Sequence, residues 1–387
     1  MHTGSYQSIK QVALPKKAMS KFIEIFSSLP DPRIERCKRH GLSDIIYITI
    51  VAILCGADDW EDIEAFGLAR EEWFSSFLKL PNGIPSHDTF NRVFARLDPQ
   101  ALQQRFTGWV QSIATVQDAE IIAIDGKRLC NSGEGGIKSI VHMVSAFANG
   151  SSLVLGQLKV EDKGNEITAI PELLKTLYIK GSVVTIDAMG CQKDIAAAII
   201  EKEADDVLAV KGNQEFLYDD IREAFRHAVI EQQHTTQCIS HGRIEKRTCR
   251  VITGIDWICS AQEWKALTSV VMIESERIVK QTGQKECQTR YYISSLKESA
   301  ERMNSIIRSH WGIENKLHWT LDVVFSEDRS RKRAGNAAEN FSTVTKIAFN
   351  VLKKKEDKKG AKNISVKTKR FKCNISQQYL TEVLKNL

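Results

Sequence analysis

At 387 residues with 42% hydrophobic content, the chain is long and apolar enough for a sizeable core, and about two or three folding units are expected. Lys+Arg 54 against Asp+Glu 48 leaves a net charge of only +6, too small an excess to prove a polyanionic partner. The nine cysteines stand singly with no CxxC pair, which argues against a disulfide framework or a cysteine zinc knuckle.

The basic residues are unevenly placed. Lys10, Lys16, Lys17, Arg33, Arg36, Lys38 and Arg39 crowd the start, and the segment 353–372 is lysine-rich, flanks that suit phosphate backbones. The most apolar run, 45–54, is far shorter than the ~20 residues of a membrane span. No signal-peptide pattern opens the chain, so a cytoplasmic protein without a membrane partner is expected.

In chain order, the first third reads as helical, with apolar residues at helical intervals through Ile45, Ile48 and Val51, through Trp60, Ile63 and Phe66, and through Trp73, Phe74 and Phe77. The break Leu80-Pro81-Asn82-Gly83-Ile84-Pro85 follows, then Ser86 as the N-cap of a helix through Phe90, Val93 and Phe94. This helix suits the second helix of a helix-turn-helix or one member of a small bundle. From residue 119 the texture changes to strands at 121–124, 139–147 and 153–160, with Asn149-Gly150 as a hairpin turn. Helix 167–178, strand 183–186, helix 195–202, strand 207–210 and helix 216–229 come next.

Three antiparallel strands followed by two helical crossovers give the order β-β-β-α-β-α-β-α, that of an α/β, ribonuclease-H-like fold with a mixed five-stranded sheet. Strand-like runs at 243–253, 266–278 and 289–294 read as a β-rich insertion at about 240–296. Helices return at 300–325 and 336–352, before a basic tail, 353–387, without apolar periodicity and expected to be flexible. The expected organisation is a helical N-terminal DNA-binding or associated domain (1–115), a catalytic domain (116–352) and the tail.

That sheet order predicts an acidic site at the end of the first strand, at the end of the fourth beside it, and on a later helix. Asp125 follows Ile121-Ile122-Ala123-Ile124, and Asp187 follows Val183-Val184-Thr185-Ile186. Neighbouring carboxylates raise each other's pKa unless a cation neutralises them, and oxygen ligands favour Mg²⁺ or Mn²⁺. A pair of such ions about 3.5–4 Å apart would serve in-line phosphoryl transfer. Each Asp alone also suits a plain strand end, where Asp-Gly serves turns.

The third carboxylate lies in Arg308-Ser309-His310-Trp311-Gly312-Ile313-Glu314-Asn315-Lys316-Leu317-His318-Trp319. Four-residue spacing puts His310, Glu314, His318 and Asp322 on one polar stripe, while Ile306, Ile313, Leu317 and Leu321 face a core. Zinc on His310, Glu314 and His318 is an alternative, although the HExxH spacing of zinc proteases is absent. A solvated polar face is the third reading.

The runs Ala123-Ile124-Asp125-Gly126-Lys127, Thr185-Ile186-Asp187-Ala188-Met189-Gly190-Cys191-Gln192, Leu208-Ala209-Val210-Lys211-Gly212-Asn213-Gln214 and His310-Trp311-Gly312-Ile313-Glu314-Asn315 resemble the DDE transposases of bacterial insertion sequences, and within them the H-repeat-associated group. The resemblance covers nearly the whole chain. It implies catalytic, metal-holding acids at Asp125, Asp187 and Glu314, use of Mg²⁺ or Mn²⁺, a β insertion ahead of the glutamate, and double-stranded DNA as partner, both element terminal repeats and target. Two element ends must be joined, which is compatible with a homodimer.

Where the broader superfamily often carries Tyr, Arg and Lys around this glutamate, the chain has Ile307, His310 and Leu321. Arg308 is the substitute suggested for the arginine, and Lys316 or His318 for the lysine. Further phosphate contacts are expected from Lys127, Arg128, Lys211, Arg329, Arg331 and Arg333, with Lys332 among them. The rivals are a nuclease of the same fold that never joins strands, and a catalytically silent DNA-binding protein derived from a transposase.

Overall fold

Strand pairing in this chain follows the β-branched and aromatic runs, but it extends beyond them. The computed structural model describes residues 24–114, 118–133, 140–161, 164–230, 232–240, 242–356 and 364–387. Lys10, Lys16 and Lys17, residue 139 of the second expected strand, and part of the lysine-rich segment lie outside the described residues. The chain divides into two compact units, one of residues 110–320 and one of residues 1–109 with 321–387.

The 110–320 unit is built on one mixed sheet. Its strands are β1 (Ile121–Arg128), β2 (His142–Ala148), β3 (Leu153–Lys159), β4 (Val183–Ile186), β5 (Asp205–Val210), β6 (Gln232–Ser240), β7 (Arg243–Thr253), β8 (Ser269–Val279) and β9 (Lys285–Ser294). The order is β3-β2-β1-β4-β5-β9-β8-β7-β6. β4 is parallel to both β1 and β5, and the remaining pairs are antiparallel.

The expected five-stranded sheet is therefore corrected to nine strands. The inserted strands do not form a separate sheet, because β9 pairs with β5 from Val207↔Ser294 to Val210↔Tyr291 and carries β8, β7 and β6 onto the same ladder. β6 itself, Gln-Gln-His-Thr-Thr-Gln-Cys-Ile-Ser, has too few apolar residues to read as a strand. As an edge strand it pairs with β7 only, with Thr235 Oγ1 3.1 Å from Thr248 Oγ1 as a cross-strand pair, and His234 also meets Asn304 of the overlying helix (3.4 Å). The β2–β3 turn also differs from a two-residue Asn-Gly hairpin. It spans residues 149–152, and the left-handed residue is Ser152 (φ 56°).

Helix Ala300–His310 lies on this sheet. Met303, Ile306 and Ile307 pack with Val183, Val207, Cys249, Val251, Val271, Ile273 and Tyr292, so a single cluster joins strands of the inner sheet to those of the insertion. β5 carries a buried acid in the same unit. Asp206 is only 3% exposed and accepts the Ser295 N–H (3.1 Å), yet burial pushes its carboxyl up to about 7. A raised carboxylate pKa means that the folded state keeps a proton the unfolded chain has lost. Stability contributed at low pH is then lost as pH rises from about 4 towards 7. Asp206→Asn, which retains an acceptor for Ser295, is expected to stabilise the protein by roughly 2–4 kcal/mol at pH 8 and by almost nothing at pH 4. Urea melts at the two pH values check this, and equal gains at both would contradict it.

The other unit is helical. Helix Leu42–Leu54 is buried along nearly its whole length, as is helix Ala337–Lys354, and the two pack together. Helix His87–Arg96 joins them through Asn340, whose Nδ2 donates to the Phe94 and Leu97 carbonyls (2.8 and 2.9 Å) at that helix's end. Trp60 sits between Phe94 and Phe341, with ring centroids 5.1 and 5.2 Å away. The connection 76–86 is far longer than the roughly three- to four-residue turn of a helix-turn-helix, and Phe90, Val93 and Phe94 are buried, so the helix serves a bundle. Ser86 holds the N-cap position, but its hydroxyl meets Thr89 Oγ1 instead of a backbone N–H.

The segment expected to be a flexible tail forms helices Val366–Ile375 and Gln377–Val383, with Cys373, Leu380 and Val383 buried. Its cations end other helices. Lys369 Nζ donates to the carbonyls of Leu352 (3.0 Å) and Lys355 (2.5 Å), the end of helix Ala337–Lys354. No helix among the described residues is long and apolar enough to cross a membrane.

Candidate active site

Register brings the two aspartates together. β1 and β4 run parallel, and their last pair is Ile124↔Ile186, so the next residues in step are Asp125 and Asp187. β4 stops there, but β1 does not. It continues beside β2 through Asp125↔Ser145 and Gly126↔Val144 to Arg128↔His142, correcting the expectation that Asp125 closes its strand. Because β4 has ended, the strand edge at Asp125 has lost its neighbour on that side. Space at Gly126 is tight: a Cβ there would lie 2.2 Å from Glu166 Oε1 and 2.6 Å from His142 Nε2, side-chain ends that would have to shift.

Asp125 is held in a partly buried, acid-rich setting. Its Oδ1 accepts the Gly126 N–H (2.9 Å) and its Oδ2 lies 3.7 Å from His318 Nδ1. Burial first, then the charge of Asp187, push its carboxyl up to about 7, with smaller contributions from Glu166 and Glu314 and an opposing one from the Gly126 N–H. Asp187 Oδ1 accepts the Met189 N–H (3.1 Å). The loop behind Asp187 is pinned from the segment after β5: Asn213 Nδ2 donates to the Ala188 carbonyl (2.7 Å) and Gln214 Nε2 to the Cys191 carbonyl (3.0 Å). The Lys211-Gly212-Asn213-Gln214 run thus supports the aspartate loop.

Glu314 sits on a π-helical turn, Ile313–His318, inserted after helix Ala300–His310. A π turn bonds i to i+5 and so breaks four-residue spacing, a feature frequent at functional sites. The single stripe expected for His310, Glu314 and His318 is lost. His310 turns onto β4, with Nδ1 3.0 Å from Thr185 Oγ1, and burial lowers its pKa, so it stays neutral at pH 7. His318 faces Asp125 on β1 instead. The two histidines serve different strands, which removes the basis for zinc bound across them. Glu314 itself is exposed and reaches Asp125 through its charge. Among the described residues, no three His, Cys, Asp or Glu side chains stand close enough to form a metal-holding group.

The turn carrying Glu314 is seated on the β2–β3 connection. A Cβ at Gly312 would lie 1.8 Å from Asn149 Oδ1, and Lys316 Nζ is 3.4 Å from the Asn149 carbonyl. Gly312→Ala is expected to force the Asn149 side chain and this turn apart and to cost about 1–3 kcal/mol of stability in urea melts. Asn149→Ala in the same chain should restore most of the loss, and a double-mutant cycle showing no coupling would count against this seating.

Of the other basic residues singled out, Arg128, Lys211, Arg308 and Lys316 are exposed on the 110–320 unit, and Lys127 is half-buried beside Asp125. Arg329, Arg331 and Arg333 are exposed on the helical unit. Lys332 between them is buried, its Nζ donating to the Asp58 carbonyl (2.6 Å) and lying 3.7 Å from the Phe341 ring centroid, so it serves the interior instead of a phosphate. Glu166 and His142, 3.0 Å apart over Gly126, were not legible as neighbours of Asp125. The one available signal was the capping box Asn165-Glu166-Ile167-Thr168, which starts the helix at Glu166.

An acidic pair on adjacent parallel strands of a mixed sheet, with a third acid on a crossing helix, defines the class of the DDE enzymes. The family model described as the transposase DDE domain matches residues 116–351, and the model described as DDE_Tnp_1-associated matches residues 23–110. The chain belongs to the DDE transposase family. The candidate transposase YncI of Escherichia coli O157:H7 is 44% identical over 374 residues, 95% of each chain. The H repeat-associated candidate transposase YhhI of Escherichia coli K12 is 41% identical over 374 residues, 95% of this chain and 98% of the relative. The protein YbfL of the same strain is 40% identical over the same shares.

Proposed function

We propose that the chain cleaves double-stranded DNA at the ends of an insertion sequence and transfers the freed 3′ ends into target DNA. In this reading a ribonuclease-H-like core, β1 to β5 with their helices, holds Mg²⁺ or Mn²⁺, as a pair of ions, on Asp125, Asp187 and Glu314. The observation that carries it is the β1–β4 register, which sets Asp125 and Asp187 in step at the point where β4 ends. The donor set suits a hard divalent cation, three carboxylates with no thiolate among them, although the three side chains are not grouped closely enough in this structure to hold one ion together; burial and mutual repulsion oppose full ionisation of Asp125. When bound, such ions supply the missing positive charge and polarise the attacking and leaving oxygens of a phosphodiester.

The residues of the chain supply orientation. The Gly126 and Met189 N–H groups each fix one oxygen of Asp125 and Asp187, and the other Asp125 oxygen faces His318 Nδ1 at 3.7 Å. Neutral His310 locks Thr185, two residues before Asp187, to the helix that leads to Glu314. Lys127, Arg128, Lys211, Arg308 and Lys316 surround these acids in sequence and provide cations for the DNA backbone. The test is Mg²⁺-dependent cleavage of a duplex bearing the element's terminal sequence, followed by strand transfer from pre-cut ends. Cleavage without joining would identify a nuclease, and binding without either would identify a silent DNA-binding protein.

A further inference from the structure

Arg247 on β7 is a buried cation with no ion-pair partner among the described residues. It is only 7% exposed, its Nε donates to Asn304 Oδ1 (2.7 Å), and its Nη2 is sealed from solvent without a hydrogen-bond partner. Burial lowers its pKa, Arg308 on the neighbouring helix repels it, and Glu245 attracts it without standing close enough to be an ion-pair partner. A buried guanidinium with no close ion-pair partner is costly, and the cost is relieved when an anion binds.

Arg247 lines a groove of about 840 Å³ between helix Ala300–His310 and the outer strands, in the 110–320 unit. Arg290, Arg302, Arg308 and Lys316 line it too, and the Arg290 guanidinium covers the Trp311 ring at 5.1 Å. Four acids line it as well, Asp118, Glu120, Glu245 and Glu286, against six cations once Arg277 is included, and two of the four are already engaged. Glu120 accepts the Gly150 and Ser151 N–H groups, and Glu286 lies 3.9 Å from Arg277. The groove therefore presents excess positive charge around one buried, under-bonded arginine.

We infer that this groove is a phosphate-binding site, separate from the three acids, in which Arg247 and Arg308 together take a phosphodiester of the DNA backbone. The inference rests on DNA being the substrate. A guanidinium fork matches two phosphate oxygens, and the site would position the duplex without reading its sequence.

The experiment measures binding of a fluorescein-labelled terminal-repeat duplex to the full chain by anisotropy in EDTA, across a range of salt, so that cleavage plays no part. Arg247→Met and Arg308→Ala are each expected to weaken binding about tenfold and to flatten the slope of log affinity against log salt by about one. Lys280→Ala, an exposed cation at the β8–β9 turn, should change neither. If Arg247→Met fails to fold, Arg308→Ala and Arg290→Ala decide the matter from the surface. Wild-type affinity and slope in folded groove variants would overturn the site. Loss of binding in these variants beside unimpaired cleavage by Asp125→Asn would leave the groove standing and remove the active-site assignment instead.

Discussion

Asp125→Asn is expected to reduce Mg²⁺-dependent cleavage of an element-end duplex by roughly 10³-fold or more while leaving binding of that duplex within about twofold. The substitution is nearly isosteric. An asparagine oxygen still accepts the Gly126 N–H, so the strand and the seat of Glu166 over Gly126 have no reason to move. What disappears is one negative charge from a site where Asp187, Glu166 and Glu314 already act on the same carboxylate. In the proposed reading a divalent cation would lose its most enclosed ligand, and acids that act as a unit do not lose function additively. Glu314→Gln should behave alike, although Glu314 is exposed and its folding cost is smaller still. The measurement is single-turnover cleavage alongside anisotropy with the same DNA. Undiminished cutting by either variant would refute the assignment, and equal loss of cutting and binding would mean that the acids shape the DNA surface instead of the chemistry.

The parts of this site that were legible in the sequence are those fixed by strands. Asp125 and Asp187 each follow a short run of mostly apolar, continuously buried residues, the mark of a central strand covered on both faces. What was not legible depends on contacts across the fold. The π turn at Ile313–His318 adds one residue to a helix whose composition looks α-helical throughout, and a one-residue change moves His310 from a shared stripe with Glu314 to Thr185. β6 is polar because it is an edge strand, and its pairing partner alone makes it a strand. The lysine-rich C-terminal segment was read by its charge, yet two of its cations, Lys369 and Arg370, are hydrogen-bonded to carbonyls at helix ends. Charge counts along a sequence do not distinguish a solvated lysine from one that caps a carbonyl.

Arg370 makes the consequence measurable. It is 6% exposed, its Nε donates to the Ile53 carbonyl (2.9 Å), its Nη2 to the Ala57 carbonyl (3.3 Å) and to Asp58 Oδ1 (3.0 Å), and its Nη1 to the Val324 carbonyl. Ile53 lies in the last turn of helix Leu42–Leu54, where unpaired carbonyls and the negative end of the helix dipole both favour a cation. One planar fork thus ties three segments of the helical unit, and its face also covers Phe325 at 4.5 Å. Arg370→Ala is expected to cost about 3–5 kcal/mol, because it strands buried carbonyls as well as removing packing. Arg370→Met, which refills the space, should recover only the packing share. Asp58→Asn should cost under about 1 kcal/mol, since that carboxylate is partly open to solvent and the carbonyl bonds remain. Thermal melts with limited proteolysis of helices Val366–Ile375 and Gln377–Val383 separate these cases. A methionine variant as stable as the parent, with its C-terminal helices equally protected, would mean that Arg370 acts as a space-filling chain and that the guanidinium contributes nothing to holding the segment in place.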